Sequence, residues 1–163
     1  MIIINHSGYL KYKNYKFRCA IGKAGVGKKK FEGDGVTPKG TYKIIQIYYR
    51  KDRIKKTKSK MKIVEINKNM GWCDDSKSKK YNQLIKLPSK YGYEKFYRAD
   101  NLYDLILVLN YNIKPIIKNK GSAIFIHLAK RNYSATKGCI GLSKRNLLKI
   151  LSIINKNTKI KIL

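Results

Sequence analysis

Residues 122–155 read SAIFIHLAKRNYSATKGCIGLSKRNLLKILSIIN. The first eight, SAIFIHLA, combine β-branched and aromatic residues and predict a strand that carries His127. A polar segment with Gly138 follows, then the short apolar run around Cys139. From Ser143 the pattern changes. Leu147, Leu148, Ile150, Leu151 and Ile154 recur at helical spacing, and Ser143 is placed to cap the helix N-terminus. Upstream, YKFRCAI (15–21) and GTYKIIQIY (40–48) read as strands. LYDLILVL (102–109) is nearly continuous in apolar residues and predicts a central strand. TKIKIL (158–163) alternates and closes the chain as a strand. Residues 50–62, rich in lysine, read as a loop or hairpin tip. The class is α+β, mostly β, with one late helix.

A chain of 163 residues suits a single domain, 1–163, with one sizeable core. Lys and Arg number 38 against 9 Asp and Glu, a formal net charge of +29. That excess attracts polyanions, so a nucleic-acid or anionic-surface binding module is one functional class. The lysines are dispersed and not gathered in a block. An A/T-rich codon preference, visible in the Lys, Asn and Ile content, accounts for the charge without a specific nucleic-acid partner. Cys19, Cys73 and Cys139 are odd in number and widely spaced, and His6 and His127 are the two histidines. Neither a disulfide framework nor a Cys/His zinc site is expected, so no metal and no cofactor are assigned. The N-terminal apolar run is too short for a signal-peptide core, and no stretch reaches transmembrane length. A reducing, cytoplasmic setting is the expectation, with a periplasmic or cell-wall location if a leader has been removed.

GKAGVGKK (22–29) nearly matches a phosphate-binding loop. Lys29 stands where Ser or Thr would ligate Mg²⁺, and the following FEGDGVTPKG cannot start the helix that would hold the phosphate. The stretch reads instead as a glycine-rich connection ending in a turn at Thr37-Pro38-Lys39-Gly40.

A cysteine nucleophile needs a base within reach and oxyanion donors beside it. His127 ends a predicted strand, and Cys139 follows 12 positions later (139 − 127), just before a helix. A loop of that length can bring the two together. Gly138 permits close backbone approach, and the N–H groups of Gly138 and Cys139 can face an oxyanion. An adjacent imidazolium would lower the thiol pKa. The competing reading is that Cys139 is inert packing and His127 a satisfied core residue. Cys19 reads as structural, and His6 lies in a polar turn.

IFIHLAKRNYSATKGCIGLS resembles the signature of the L,D-transpeptidase catalytic-domain (YkuD-like) family: a strand-end His, a loop, then Ser/Thr-x-Gly-Cys. EGDGVTPKGTY (32–42) resembles that family's Thr-Pro-x-Gly-x-aromatic segment. MGWCDD (70–75) and FYRADNLYDLILVLNYN (96–112) are similar to a compact branch of it. The resemblance covers roughly residues 15 to 150 and rests on the two segments together. It implies a β-sandwich or barrel with a helix after the catalytic Cys. It also implies cysteine acyl transfer on peptidoglycan stem peptides or muropeptides. Cys139 would attack the L,D peptide bond before a terminal D-alanine, with His127 as base. A thioester would remain, to be resolved by water or by the amine of a second stem.

Three positions depart from the family pattern. Lys137 replaces a common His, Leu128 replaces the usual Gly or Ser after the base, and Gly141 stands where many members have Arg. An Arg there would clamp a substrate carboxylate, and Arg98 and Arg131 are the candidates to replace it. Thr37, Pro38 and Gly40 are expected near the cleft or in its scaffold. Trp72, Asp74 and Asp75 are expected in a substrate groove or an exposed turn. Tyr103 and Asp104 read as structural. The expected molecule is a monomeric L,D-carboxypeptidase of muropeptide recycling, ahead of a crosslinking transpeptidase.

Overall fold

The computed structural model describes residues 1–55 and 58–163. Its strands are β1 (Ile2–Asn5), β2 (Tyr9–Tyr12), β3 (Tyr15–Arg18), β4 (Val26–Gly27), β5 (Thr37–Pro38), β6 (Gly40–Tyr49) and β7 (Ile63–Glu65). There follow β8 (Met70–Cys73), β9 (Leu84–Lys86), β10 (Tyr93–Lys95), β11 (Leu105–Leu109), β12 (Phe125–Leu128) and β13 (Ile140–Leu142). Helix α1 (Lys144–Ile153) precedes the last strand, β14 (Lys159–Ile162).

The main sheet runs β13-β12-β11-β6-β14-β1-β2-β3, with β7 beside β6. Its two edges come back together. Just beyond β3, Ala20 pairs antiparallel with Gly141 of β13, each N–H donating to the other's carbonyl at 2.8 and 2.9 Å. A second bridge joins Gly22 to Thr136. The sheet is therefore nearly closed, like a barrel, and its seam lies beside Cys139. Closure satisfies backbone groups that an open edge would leave unpaired.

Strand alternation divides the buried side chains into two cores. Leu105, Leu107 and Leu109 of β11 pack with Ile47, Ile126, Leu128 and the helix residues Leu147, Ile150 and Leu151. Ile106 and Val108 point to the opposite face, where Trp72, Phe96, Tyr103 and Phe125 form a second, aromatic core. A small sheet, β10-β8-β9, covers that face. Burial on both faces is why β11 reads as an unbroken apolar run. The same alternation in β12 sets Phe125 and His127 on the aromatic side.

Several expectations change here. The 50–62 stretch is not a hairpin tip, because β6 and β7 are parallel and the stretch is a crossover. Residues 56–57 of it lie outside the described residues. Thr37-Pro38-Lys39-Gly40 is extended and not a turn: Thr37 and Pro38 pair with β4, the Lys39 N–H donates to Gly27 O, and Gly40 begins β6. The N-terminal IIIN, too short to show a period, is an inner strand between β14 and β2. The helix starts where expected, with Ser143 Oγ accepting from the Asn146 N–H. No described helix is long and apolar enough to cross a membrane.

Candidate functional site

β12 and β13 run parallel with His127 opposite Gly141, so Cys139 arrives one residue before β13, beside the imidazole's strand. Cys139 and His127 line one cavity of about 240 Å³, together with Ala20, Glu94, Arg98, Tyr103 and Lys137. Thr136 and Ala129 also line it. Cys139 is the partly exposed cysteine, whereas Cys19 and Cys73 are buried.

The loop before Cys139 is held by local chemistry. Thr136 Oγ1 donates to Cys139 O at 2.6 Å and accepts from the Gly138 N–H at 3.1 Å. Gly138 has φ +132°, and a Cβ there would lie 2.8 Å from Val36 O. Glycine is needed for the conformation and for the close approach of the 36–37 segment. The expected oxyanion pair is thereby reduced. The Gly138 N–H is committed to Thr136, while the Cys139 N–H has no acceptor among the described contacts.

The resting thiol bonds to backbone groups. Cys139 Sγ donates to Ala123 O at 3.0 Å and receives the Phe125 N–H at 3.4 Å. Ala123 is itself held by Asn82, whose Oδ1 accepts from the Ala123 N–H at 3.0 Å and from Trp72 Nε1 at 2.9 Å. His127 Nδ1 lies 2.8 Å from Leu128 O. A carbonyl only accepts, so Nδ1 carries the proton and Nε2 keeps its lone pair. The Tyr103 ring meets the imidazole edge-on, with centroids 5.3 Å apart.

Burial keeps both groups neutral. It pushes the Cys139 thiol up to about 12, with Glu94 and Glu32 adding to the rise and Lys29 opposing it. It lowers the His127 imidazole to about 4. The expected thiolate–imidazolium pair is corrected on this ground: an apolar surround penalises both charges, and the two side chains share no hydrogen bond among the described contacts.

Of the remaining expected residues, Arg98 lines the cavity. Its guanidinium lies over Tyr103, 5.2 Å from the ring centroid, and grips Asp100 through Nε and Nη2 at 2.8 and 2.6 Å. Arg131 is exposed and outside the lining. Thr37 is fully buried, with Oγ1 accepting from the Gly22 N–H at 2.7 Å, and like Pro38 and Gly40 it belongs to the scaffold. Trp72 is outside the cavity lining; it is buried, stacked on Phe96 and edge-on to Phe125. Asp74 sits outside the lining, its carboxyl raised by burial and then by Glu94 and Glu32. Glu94, Tyr103 and Thr136 are cavity residues to which the sequence reading assigned no site role. Thr136 had a signal, as the Ser/Thr of the Ser/Thr-x-Gly-Cys pattern. The other two had none. Among the described residues no group of His, Cys, Asp or Glu is placed to hold a metal ion.

The fold is thus a nearly closed β-sheet with a cysteine and a histidine sharing one cavity at its seam. The model of the L,D-transpeptidase catalytic domain (YkuD) matches residues 2–162, and the chain belongs to that family. L,D-transpeptidase 1 of Mycobacterium tuberculosis has a similar crystal structure, with TM-score 0.45 and 11% identity. That likeness covers 99% of this chain and 60% of the other, so the chain spans about 60% of that structure's length. No curated protein matches by sequence.

Proposed function

We propose that this domain cleaves the L,D peptide bond before the terminal D-alanine of a peptidoglycan stem, through a thioester on Cys139. The observation that carries the reading is the shared cavity of Cys139 and His127, with the imidazole tautomer fixed by Leu128 O. Substrate entry turns the thiol from Ala123 O toward Nε2. The sulfur forms its bond to the carbonyl carbon as Nε2 takes the thiol proton, and the Cys139 N–H faces the oxyanion. Nε2 then protonates the departing amine, the C–N bond breaks, and D-alanine leaves. Concerted transfer suits the geometry, because a free thiolate is disfavoured in so buried a site.

Arg98 holds the D-alanine carboxylate in place of the arginine absent at Gly141. Its Nη1 is not used by Asp100 and remains available for this bond. Water is the favoured acceptor, giving an L,D-carboxypeptidase acting on muropeptides in a cytoplasmic setting. The amine of a second stem gives the crosslinking alternative. Incubation with a disaccharide-tetrapeptide, read by mass spectrometry beside Cys139→Ala, tests this. Cysteine-dependent appearance of tripeptide supports hydrolysis, and crosslinked dimer supports transpeptidation. Intact substrate with both proteins overturns the acyl-transfer reading.

A further inference from the structure

The chain has 38 basic and 9 acidic residues. Five of the nine acids, Asp34, Asp52, Glu65, Asp100 and Asp104, form ion pairs among the described residues. Glu94 forms none, and it is the one acid lining the cavity of Cys139 and His127. It sits on β10, half-buried, with Oε2 accepting from the Tyr103 hydroxyl at 3.2 Å. Arg98 lies across the same Tyr103 ring. The cavity thus sets the Glu94 carboxylate at the Tyr103 hydroxyl and the Arg98 guanidinium over the ring face, with Lys130 and Lys137 also on its lining.

An acid here works against the chemistry. A carboxylate near a thiol that must give up its proton opposes that step, as the direction of its influence on Cys139 shows. With cations so abundant, a carboxylate left unpaired beside the nucleophile has its natural complement in a ligand cation. We infer that Glu94 is a specificity residue that receives a side-chain ammonium on the stem residue whose carbonyl is attacked. This rests on the function proposed above. It divides the recognition: Arg98 takes the carboxylate of the leaving residue, and Glu94 takes the amine of the acyl donor. Docking of the ammonium also neutralises the charge that opposes deprotonation, so the correct substrate helps to activate the thiol.

The competing role for Glu94 is structural, as the acceptor that orients Tyr103. Glu94→Gln separates the two, because the amide oxygen still accepts from Tyr103 but the charge is gone. The probes are two synthetic tetrapeptide stems ending in D-alanine. In one the third residue has a free side-chain amine; in the other that amine is acetylated. Wild type is expected to prefer the free amine. Glu94→Gln is expected to lose roughly tenfold or more in kcat/KM on that stem, the range for a charge-assisted contact, and to turn over the acetylated stem at least as fast as wild type does. Alkylation of Cys139 by iodoacetamide should be at least as fast in the variant. Equal treatment of both stems by wild type, or an equal loss on both in the variant, overturns the inference while leaving the proposed function standing. D-alanine release from neither stem by wild type is the failure of the proposed function, and this inference falls with it.

Discussion

At the scale of residues, burial sets the behaviour of the two central groups. His127 sits against the Tyr103 ring in the aromatic core, and the low dielectric there holds its imidazole near 4 against an ordinary 6.5. A folded value below the unfolded one means a contribution to stability that is present above pH 6.5 and lost as pH falls through about 4. The size is about 3 kcal/mol at 1.36 kcal/mol per unit. Urea unfolding at pH 7 and pH 4.5 should show the wild type losing stability, and His127→Gln losing distinctly less over the same interval. An identical loss in the two proteins would show that the imidazole is not held neutral by the fold. Cys139 behaves in the opposite sense. Its raised value stabilises the fold below pH 9 and ceases to do so as pH climbs toward 12. Cys139, His127 and Ser143 were legible in the sequence because their signals are local: a strand end, a glycine before a thiol, a cap before a periodic run. Trp72 was not. GWCDD has the composition of a turn, and only the long-range contacts with Phe96 and Phe125 make it core.

At the scale of elements, the seam between the end of β3 and β13 explains Gly141. A Cβ there would meet Ala129 Cα at 3.1 Å and the methyls of Ala129 and Ala20 at 3.2 Å. Both alanines line the cavity, so the missing side chain is room given to the seam. Gly141→Arg is therefore expected to damage the protein and not to supply a better carboxylate clamp. The overpacking should cost about 1–3 kcal/mol in urea unfolding, with D-alanine release reduced. A variant of unchanged stability and higher activity would count against Arg98 as the carboxylate-binding group. β3, β6, β11, β12 and β14 were readable, because each lies in a longer run of β-branched, aromatic or alternating apolar residues. β8, β9 and β10 were not: β8 is wholly buried but lies in the turn-like GWCDD, and LIK and YEK are three-residue strands with exposed ends and no apolar run. That small sheet supplies Glu94, which is why the cavity's acid carried no signal in the sequence. β1 escaped because IIIN is a short apolar run without alternation.

At the scale of the whole molecule, closure of the sheet and the distribution of charge bear on what the surface does. The seam places the nucleophile where two sheet edges meet, so the site depends on contacts between residues 20–22 and 136–141 that no local pattern announces. The net charge of +29 was the plainest feature of the composition, yet it is spread over the chain. After burial, Glu94, Glu32 and Asp75 raise the Asp74 carboxyl, and Glu94 and Glu32 also raise the thiol. The cavity lining carries three cations, Arg98, Lys130 and Lys137, against the single acid Glu94, and most of the 38 basic residues lie elsewhere on the chain. Diffuse lysines should still give non-specific attraction to duplex DNA. Fluorescence anisotropy with a labelled duplex is expected to give a Kd on the order of 10⁻⁶ M or weaker at about 0.15 M salt. Affinity should fall steeply with rising salt, and Cys139→Ala should bind the same. Nanomolar, sequence-dependent binding at that salt would instead make nucleic acid a specific partner and the charge a selected feature. The weak, uniform result leaves recognition to the cavity, where the thiol and the imidazole share one pocket with Glu94, Arg98, Lys130 and Lys137.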